Sequence, residues 1–153
     1  MKKKIKVLHI VSSYDNSEGG PPISINNIAF SLRNTKELEN NLITSTTKKI
    51  KINNFKNVYI GKLLFKKFYI PSLTLILKIK SEIQKNQIIH IHNFWNITIF
   101  IGLFLSIFYK KKIILSPHGS FDFYNMKKSN IKKKFYLFFF GKYQISKIHY
   151  FHF

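Results

Sequence analysis

The chain has 153 residues, 45% of them hydrophobic, with 26 Lys+Arg against 6 Asp+Glu and a formal net charge of +20. That length allows one domain with a real core, and the absence of cysteine excludes a disulfide framework and thiolate chemistry, which fits a reducing cytoplasm. A single arginine, Arg33, argues against sequence-specific nucleic-acid reading, which favours the bidentate guanidinium. With one alanine, Ala29, amid abundant Lys, Ile, Phe and Asn, much of the basic excess reads as A+T-rich codon usage, and the rest as contact with an anionic surface.

In chain order, Lys2–Lys4 followed by the short apolar run Val7–Val11, which contains His9, falls short of a signal peptide and reads as part of a first strand, Ile5–Ser12. A loop holding Gly19, Gly20 and Pro22 then opens a helix with Ile25, Ile28, Ala29 and Leu32 on one face. Strands are expected at Asn41–Thr47 and Val58–Gly61, joined by a Lys- and Asn-rich surface connection. Pro71–Lys85 reads as a helix with Leu73, Ile76, Leu77 and Ile83 inward. Then follow a strand at Ile88–His92, an apolar helix at Ile97–Tyr109, a strand at Lys112–Ser116, a helix from Ile131 to Phe140 capped by Gly141, and a strand within Ile148–Phe153. This alternation predicts an α/β domain spanning residues 1–153, a Rossmann-like open parallel sheet with helices on both faces.

The apolar helix sits in a stretch, Asn86 to Tyr109, that carries no charged residue. As a helix Ile97–Tyr109 spans about 20 Å, short of a hydrocarbon core of about 30 Å. Thr98, Gly102 and Ser106 form a narrow small-residue face suited to packing on a sheet, although the same face would suit pairing within a membrane.

Three polar loops follow successive strands, and in a parallel sheet such loops gather on one edge. In the first, Gly19 and Gly20 precede a helix whose free N–H groups favour phosphate. In the second, His90 and His92 alternate on one strand face, as two metal ligands could, but a third ligand would have to come from His118 or Asp122, and no metal is expected. His92 at the strand end is expected to face the cleft beside Trp95. In the third, Pro117 ends a strand and Gly119 permits an unusual backbone angle. His118 is thereby held where an imidazole reaches a substrate, with Asp122 near enough to orient it or accept from a sugar hydroxyl.

KVLHIVSSYD with GGPP, then IIHIHNFWN, then KIILSPHGSFD and a basic, aromatic segment ending FFFGK, resemble in order and spacing the N-terminal half of the family 4 glycosyltransferases of GT-B type. The resemblance implies one half of a GT-B architecture and retaining transfer of a sugar from a nucleotide-sugar donor to a glycan or lipid-linked acceptor. It implies that His118 is catalytic and that Gly19, Gly20, His92, Trp95, Gly119 and Asp122 bind donor or acceptor. It also implies that the nucleotide-sugar is held by a second domain or chain, so that this chain alone is inactive, and that no cofactor takes part.

Lys127, Lys128 and Lys132–Lys134 beside Phe135 and Phe138–Phe140 suit an anionic membrane surface, giving a cytoplasmic protein peripheral to the inner face of the cell membrane. A non-catalytic sugar- or lipid-binding module, and a protein spanning the membrane through residues 97–109, are the competing readings.

Overall fold

The computed structural model describes residues 4–15, 20–46, 52–127 and 130–153. Six apolar runs pair as one parallel sheet: β1 (Ile5–Ile10), β2 (Leu38–Ser45), β3 (Asn57–Gly61), β6 (Ile88–His92), β7 (Lys112–Ser116) and β8 (Tyr150–Phe151). Their spatial order is β3-β2-β1-β6-β7-β8. The order therefore reverses between β1 and β6, the switch point beside which open α/β sheets bind ligands. A separate antiparallel pair, β4 (Leu63–Phe65) and β5 (Ile70–Pro71), had no counterpart in the sequence reading. It closes around a 3₁₀ turn, Lys66–Phe68, and ends in left-handed Tyr69 (φ 50°).

Alternate residues of each strand point to opposite faces, and the two faces are covered differently. Leu8, Ile10, Ile43, Ile89, Ile91, Ile113 and Leu115 meet α2 (Leu73–Lys85) and α3 (Ile97–Phe108) in the main core. On the other face Val11 and Leu42 pack with Tyr14 and with Ile25 of α1 (Gly20–Leu32). Helices thus lie on both faces, as the alternation predicts.

Helix α3 is a crossover helix seated on the sheet. Asn96 caps it by accepting from Ile99 N–H at 2.9 Å. Its small-residue stripe is buried, with Thr98 at 1% and Ser106 at 0% exposure, and a Cβ on Gly102 would stand 3.5 Å from both Ile10 Cδ1 and Ile91 Cδ1. Among the described residues no helix is long and apolar enough to cross a membrane.

Several boundaries and faces differ from expectation. Strand β2 begins at Leu38 because Glu39 and Asn40 pair with Lys6 and Val7. The connection after it contributes to packing, Ile52 and Phe55 lying against the smaller core. Helix α2 buries Leu75, Ile79 and Ile83 while Leu73 and Leu77 face solvent, since Ser72 as N-cap, accepting from Leu75 N–H, sets the helix phase.

The aromatic segment is α4 (Phe123–Lys127), α5 (Asn130–Tyr136), a π turn (Leu137–Gly141) and α6 (Lys142–Ser146). Gly141 does not cap it: its φ of −65° is helical, and a Cβ there would lie 2.7 Å from Leu137 Cδ2. Strand β8 is only Tyr150–Phe151, held by His149 N–H and His152 N–H donating to Ile113 and Leu115 carbonyls.

Leu103→Ala should lower stability by about 2–5 kcal/mol through the cavity it leaves, whereas Phe104→Ala, at a site 55% exposed, should cost far less. Urea denaturation of the two variants checks this. Equal, small effects would mean that α3 is not packed on the sheet.

Candidate functional site

Parallel register collects histidines on the sheet face covered by α1. His9 pairs with His90, and His92 pairs with Ser116 on β7. His118 follows β7 and His152 follows β8, so five of the chain's 6 histidines meet there. From the interior outward, His9 Nε2 stands 3.4 Å from Asn40 Oδ1, His9 Nδ1 is 3.1 Å from His92 Nε2, and His92 Nδ1 is 3.0 Å from His118 Nε2. A branch runs from His90 Nε2 to Ser116 Oγ at 2.8 Å and on to His152 Nδ1 at 2.9 Å.

Burial favours the neutral form of His9, His90, His92 and His118. The loss of hydration lowers His9 to about 4 against the raising effect of its bond to Asn40, and lowers His90 to about 2 with added repulsion from His9, His152 and His118. It also pushes His92 well below the usual imidazole range, and His118 down more modestly, with His152 adding to the effect. A neutral imidazole donates once and accepts once. Since Asn40 Oδ1 only accepts, His9 Nε2 carries its proton, His92 donates from Nε2 to His9, and His118 donates from Nε2 to His92.

His118 sits at φ 45° and Gly119 at φ 74°, with Asn93 at φ 70° after β6. A left-handed histidine costs about 1–2 kcal/mol and persists only where its surroundings hold it. Here the Gly119 carbonyl accepts from Asp122 N–H at 3.1 Å and from Asn125 Nδ2 at 2.8 Å, and a Cβ on Gly119 would stand 2.8 Å from Asp122 Oδ2. His118, Gly119 and Asp122 line a cavity of about 480 Å³ with Ser24 of α1, His152 and Phe153, within the size range of small-ligand sites.

The three loops are tied together. Asn96 Nδ2 donates to Ser12 Oγ at 3.1 Å, and Trp95 Nε1 donates to the Ser120 carbonyl at 2.5 Å. Asp15 of the first loop accepts from Thr46 at 2.5 Å and pairs with Lys66 at 3.7 Å.

The expected residues are distributed unevenly. His118, Gly119 and Asp122 share the cavity, but His118 is hydrogen-bonded to His92 and not to Asp122. His92 is fully buried at 0% exposure and reaches the cleft only through His118, because the rings of His9, His90 and His118 pack around it. Trp95 leaves the cleft for the opposite side, among Phe94, Phe121 and Tyr136, where it lines a separate cavity of about 550 Å³ with Lys67, Tyr69 and Lys133. Gly20 is the exposed first residue of α1, and Gly19 lies outside the described residues. His9 was missed as a site residue. Its signal, a polar residue inside an apolar strand, was legible as an oddity, but its partners were not. A hollow of about 530 Å³ lined by Lys6, Asn57 and Glu82 lies at the strands' other end, away from these loops.

The neutral rings make stability pH-dependent. The unfolded chain takes up protons near the ordinary histidine value of 6.5 while the folded rings do not. Stability is therefore full above that value and is lost as pH falls toward 4, at about 1.4 kcal/mol per pH unit for each such ring. In buffer containing EDTA the urea midpoint should fall steeply from pH 6.5 to 4. A flat midpoint across that window would mean that the rings protonate within the folded state.

No protein-family model matches the chain, and no curated protein matches it. Among solved structures, Anabaena Alr3699/HepE in complex with UDP and glucose is similar, with a TM-score of 0.52 and 12% identity over 84% of this chain and 34% of that one. A structure named "putative UDP-N-acetylglucosamine 2-epimerase from Listeria monocytogenes" overlaps more loosely, at TM-score 0.42 and 14% identity over 74% and 30%. The chain spans about a third of the length of each. At 12% identity the HepE likeness carries the fold alone: a Rossmann-like parallel sheet flanked by helices, in keeping with a GT-B-like fold.

Proposed function

We propose that this chain is the acceptor-side domain of a family 4 GT-B glycosyltransferase, one that transfers a sugar with retention from a nucleotide-sugar to a glycan or lipid-linked acceptor in cell-envelope polysaccharide synthesis. The observation that carries this reading is the left-handed His118–Gly119 turn at the floor of a cavity beside the topological switch point. The similarity in fold to HepE, which binds UDP and glucose, agrees with it. In this proposal the donor nucleotide is held by a second domain or chain facing the cleft.

His118 hydrogen-bonds the transferred sugar as charge develops on it, with His92 as the positioning residue behind it. Gly119 lets backbone approach the substrate, and the Asp122 carboxylate accepts from a sugar hydroxyl. Gly20, the first residue of the 13-residue α1, lies toward the donor phosphates, the role the resemblance also gives Gly19, and helix N–H groups and basic side chains there compensate the leaving diphosphate without a metal ion. In an enzyme reconstituted with its donor-binding domain, His118→Ala should lower kcat on the order of 100-fold with little change in acceptor KM. Undiminished turnover would remove His118 from the reaction.

A second reading, compatible with the first, concerns location. Phe135, Phe138 and Phe139 are 66%, 72% and 54% exposed beside Lys132 and Lys134, a cationic and aromatic surface suited to an anionic lipid face. In this reading the protein works at the cytoplasmic face of the membrane, next to a lipid-linked acceptor. Liposomes rich in anionic lipid should retain the chain at low salt and release it at high salt, whereas equal retention on neutral liposomes would exclude the electrostatic attachment.

A further inference from the structure

His9, His90 and His92 each offer one ring nitrogen, and the three atoms lie within 4.8 Å of one another. We propose that these imidazoles form a binding site for a divalent transition metal of the zinc type, seated inside the domain behind His118 and away from sugar and diphosphate. The proposal stands on the sheet geometry and does not depend on the transferase reading.

The spacing suits the ion. Zinc–imidazole bonds of about 2.0–2.1 Å at tetrahedral angles separate two ligand nitrogens by about 3.3 Å, and His9 Nδ1 is 3.1 Å from His92 Nε2. His90 Nε2 is committed to Ser116, which leaves His90 Nδ1 as its ligand atom. The donor set is all imidazole, with no carboxylate or thiolate, which favours zinc, cobalt, nickel or copper over magnesium or calcium.

The outer shell is also present. Metal-bound histidines almost always donate their second ring N–H to an acceptor. Here the second nitrogens of His9, His90 and His92 face Asn40 Oδ1 at 3.4 Å, Ser116 Oγ at 2.8 Å and His118 Nε2 at 3.0 Å. The three rings are 1%, 6% and 0% exposed, at positions where apolar side chains would pack without dehydrating ring nitrogens. Three protein ligands leave a fourth position to water.

Loading the ion has a consequence at the cleft. His9 Nδ1 is already unprotonated, but His92 must surrender Nε2, so its proton moves to Nδ1 and the bond to His118 reverses. The proton of His118 then passes from Nε2 to Nδ1. No proton is gained or lost, and the ion determines which nitrogen of His118 is the donor.

The test uses the tag-free chain, stripped with EDTA and titrated with Co²⁺. A saturable 1:1 complex with the intense visible absorption of tetrahedral cobalt, displaced by Zn²⁺, is the expected result. His9→Gln and His92→Gln should abolish it, Ser116→Ala should weaken it about 10–100-fold, and His149→Gln, outside the cluster, should leave it intact. Because buried variants could misfold, long-range ¹⁵N–¹H spectra of the unsubstituted chain provide an independent reading: one equivalent of Zn²⁺ should shift His9 Nδ1, His90 Nδ1 and His92 Nε2 to metal-bound positions. Weak octahedral absorption, or ¹⁵N shifts confined to His149 and His152, would overturn the proposal.

Discussion

The in-register parallel pairing of β1 with β6 is the constraint on which the rest depends. Setting His9 opposite His90 brings together residues from distant parts of the chain and, with the two-residue strand period, puts His92 on the same face. The same pairing places the point where strand order reverses between these two strands, so the loops after β1, β6 and β7 meet at one edge. A one-residue slip of β6 against β1 would turn His90 and His92 into the α2/α3 core, put Ile89 and Ile91 in their place under α1, and leave His9 without its ring partners.

The two faces of the sheet solve different problems. One is an apolar core in which Ile and Leu meet α2 and the small-residue stripe of α3, close-packed enough that Gly102 sits against Ile10 and Ile91. The other carries polar rings under a single helix, α1. Burial there imposes neutrality on the imidazoles, and neutrality imposes direction on their hydrogen bonds, so that the state of an interior ring is transmitted to His118 at the surface. The left-handed geometry of His118 belongs to the same arrangement, since it turns the ring toward His92 while Asn125 and Asp122 secure the backbone that follows.

The charge excess has little part in that interior. It concentrates on solvent-facing positions and in the aromatic α4–α6 segment, where lysines flank exposed rings, while the chain from Asn40 through His9 and His92 to His118 consists of neutral groups. Fold and surface chemistry are thereby separable in this chain. A composition skewed toward Lys, Ile, Asn and Phe still builds an ordinary parallel sheet, because that sheet needs only short β-branched runs and helices long enough to cross over it.

By itself the sequence determined the alternation of strands and helices, the parallel sheet, the buried stripe of α3 and the edge where the loops gather, because each follows from local periodicity and turn chemistry. It also marked Pro117, Gly119 and His118 as an unusual turn. Only the tertiary structure decided that His9 joins His90 and His92, that His92 is enclosed instead of facing the cleft, that Trp95 belongs to the opposite side, and that the helix after Asn130 runs through a π turn past Gly141. Those outcomes depend on which strand pairs with which, on helix phase and on close contact between distant residues. None of these is written in the spacing of any single segment.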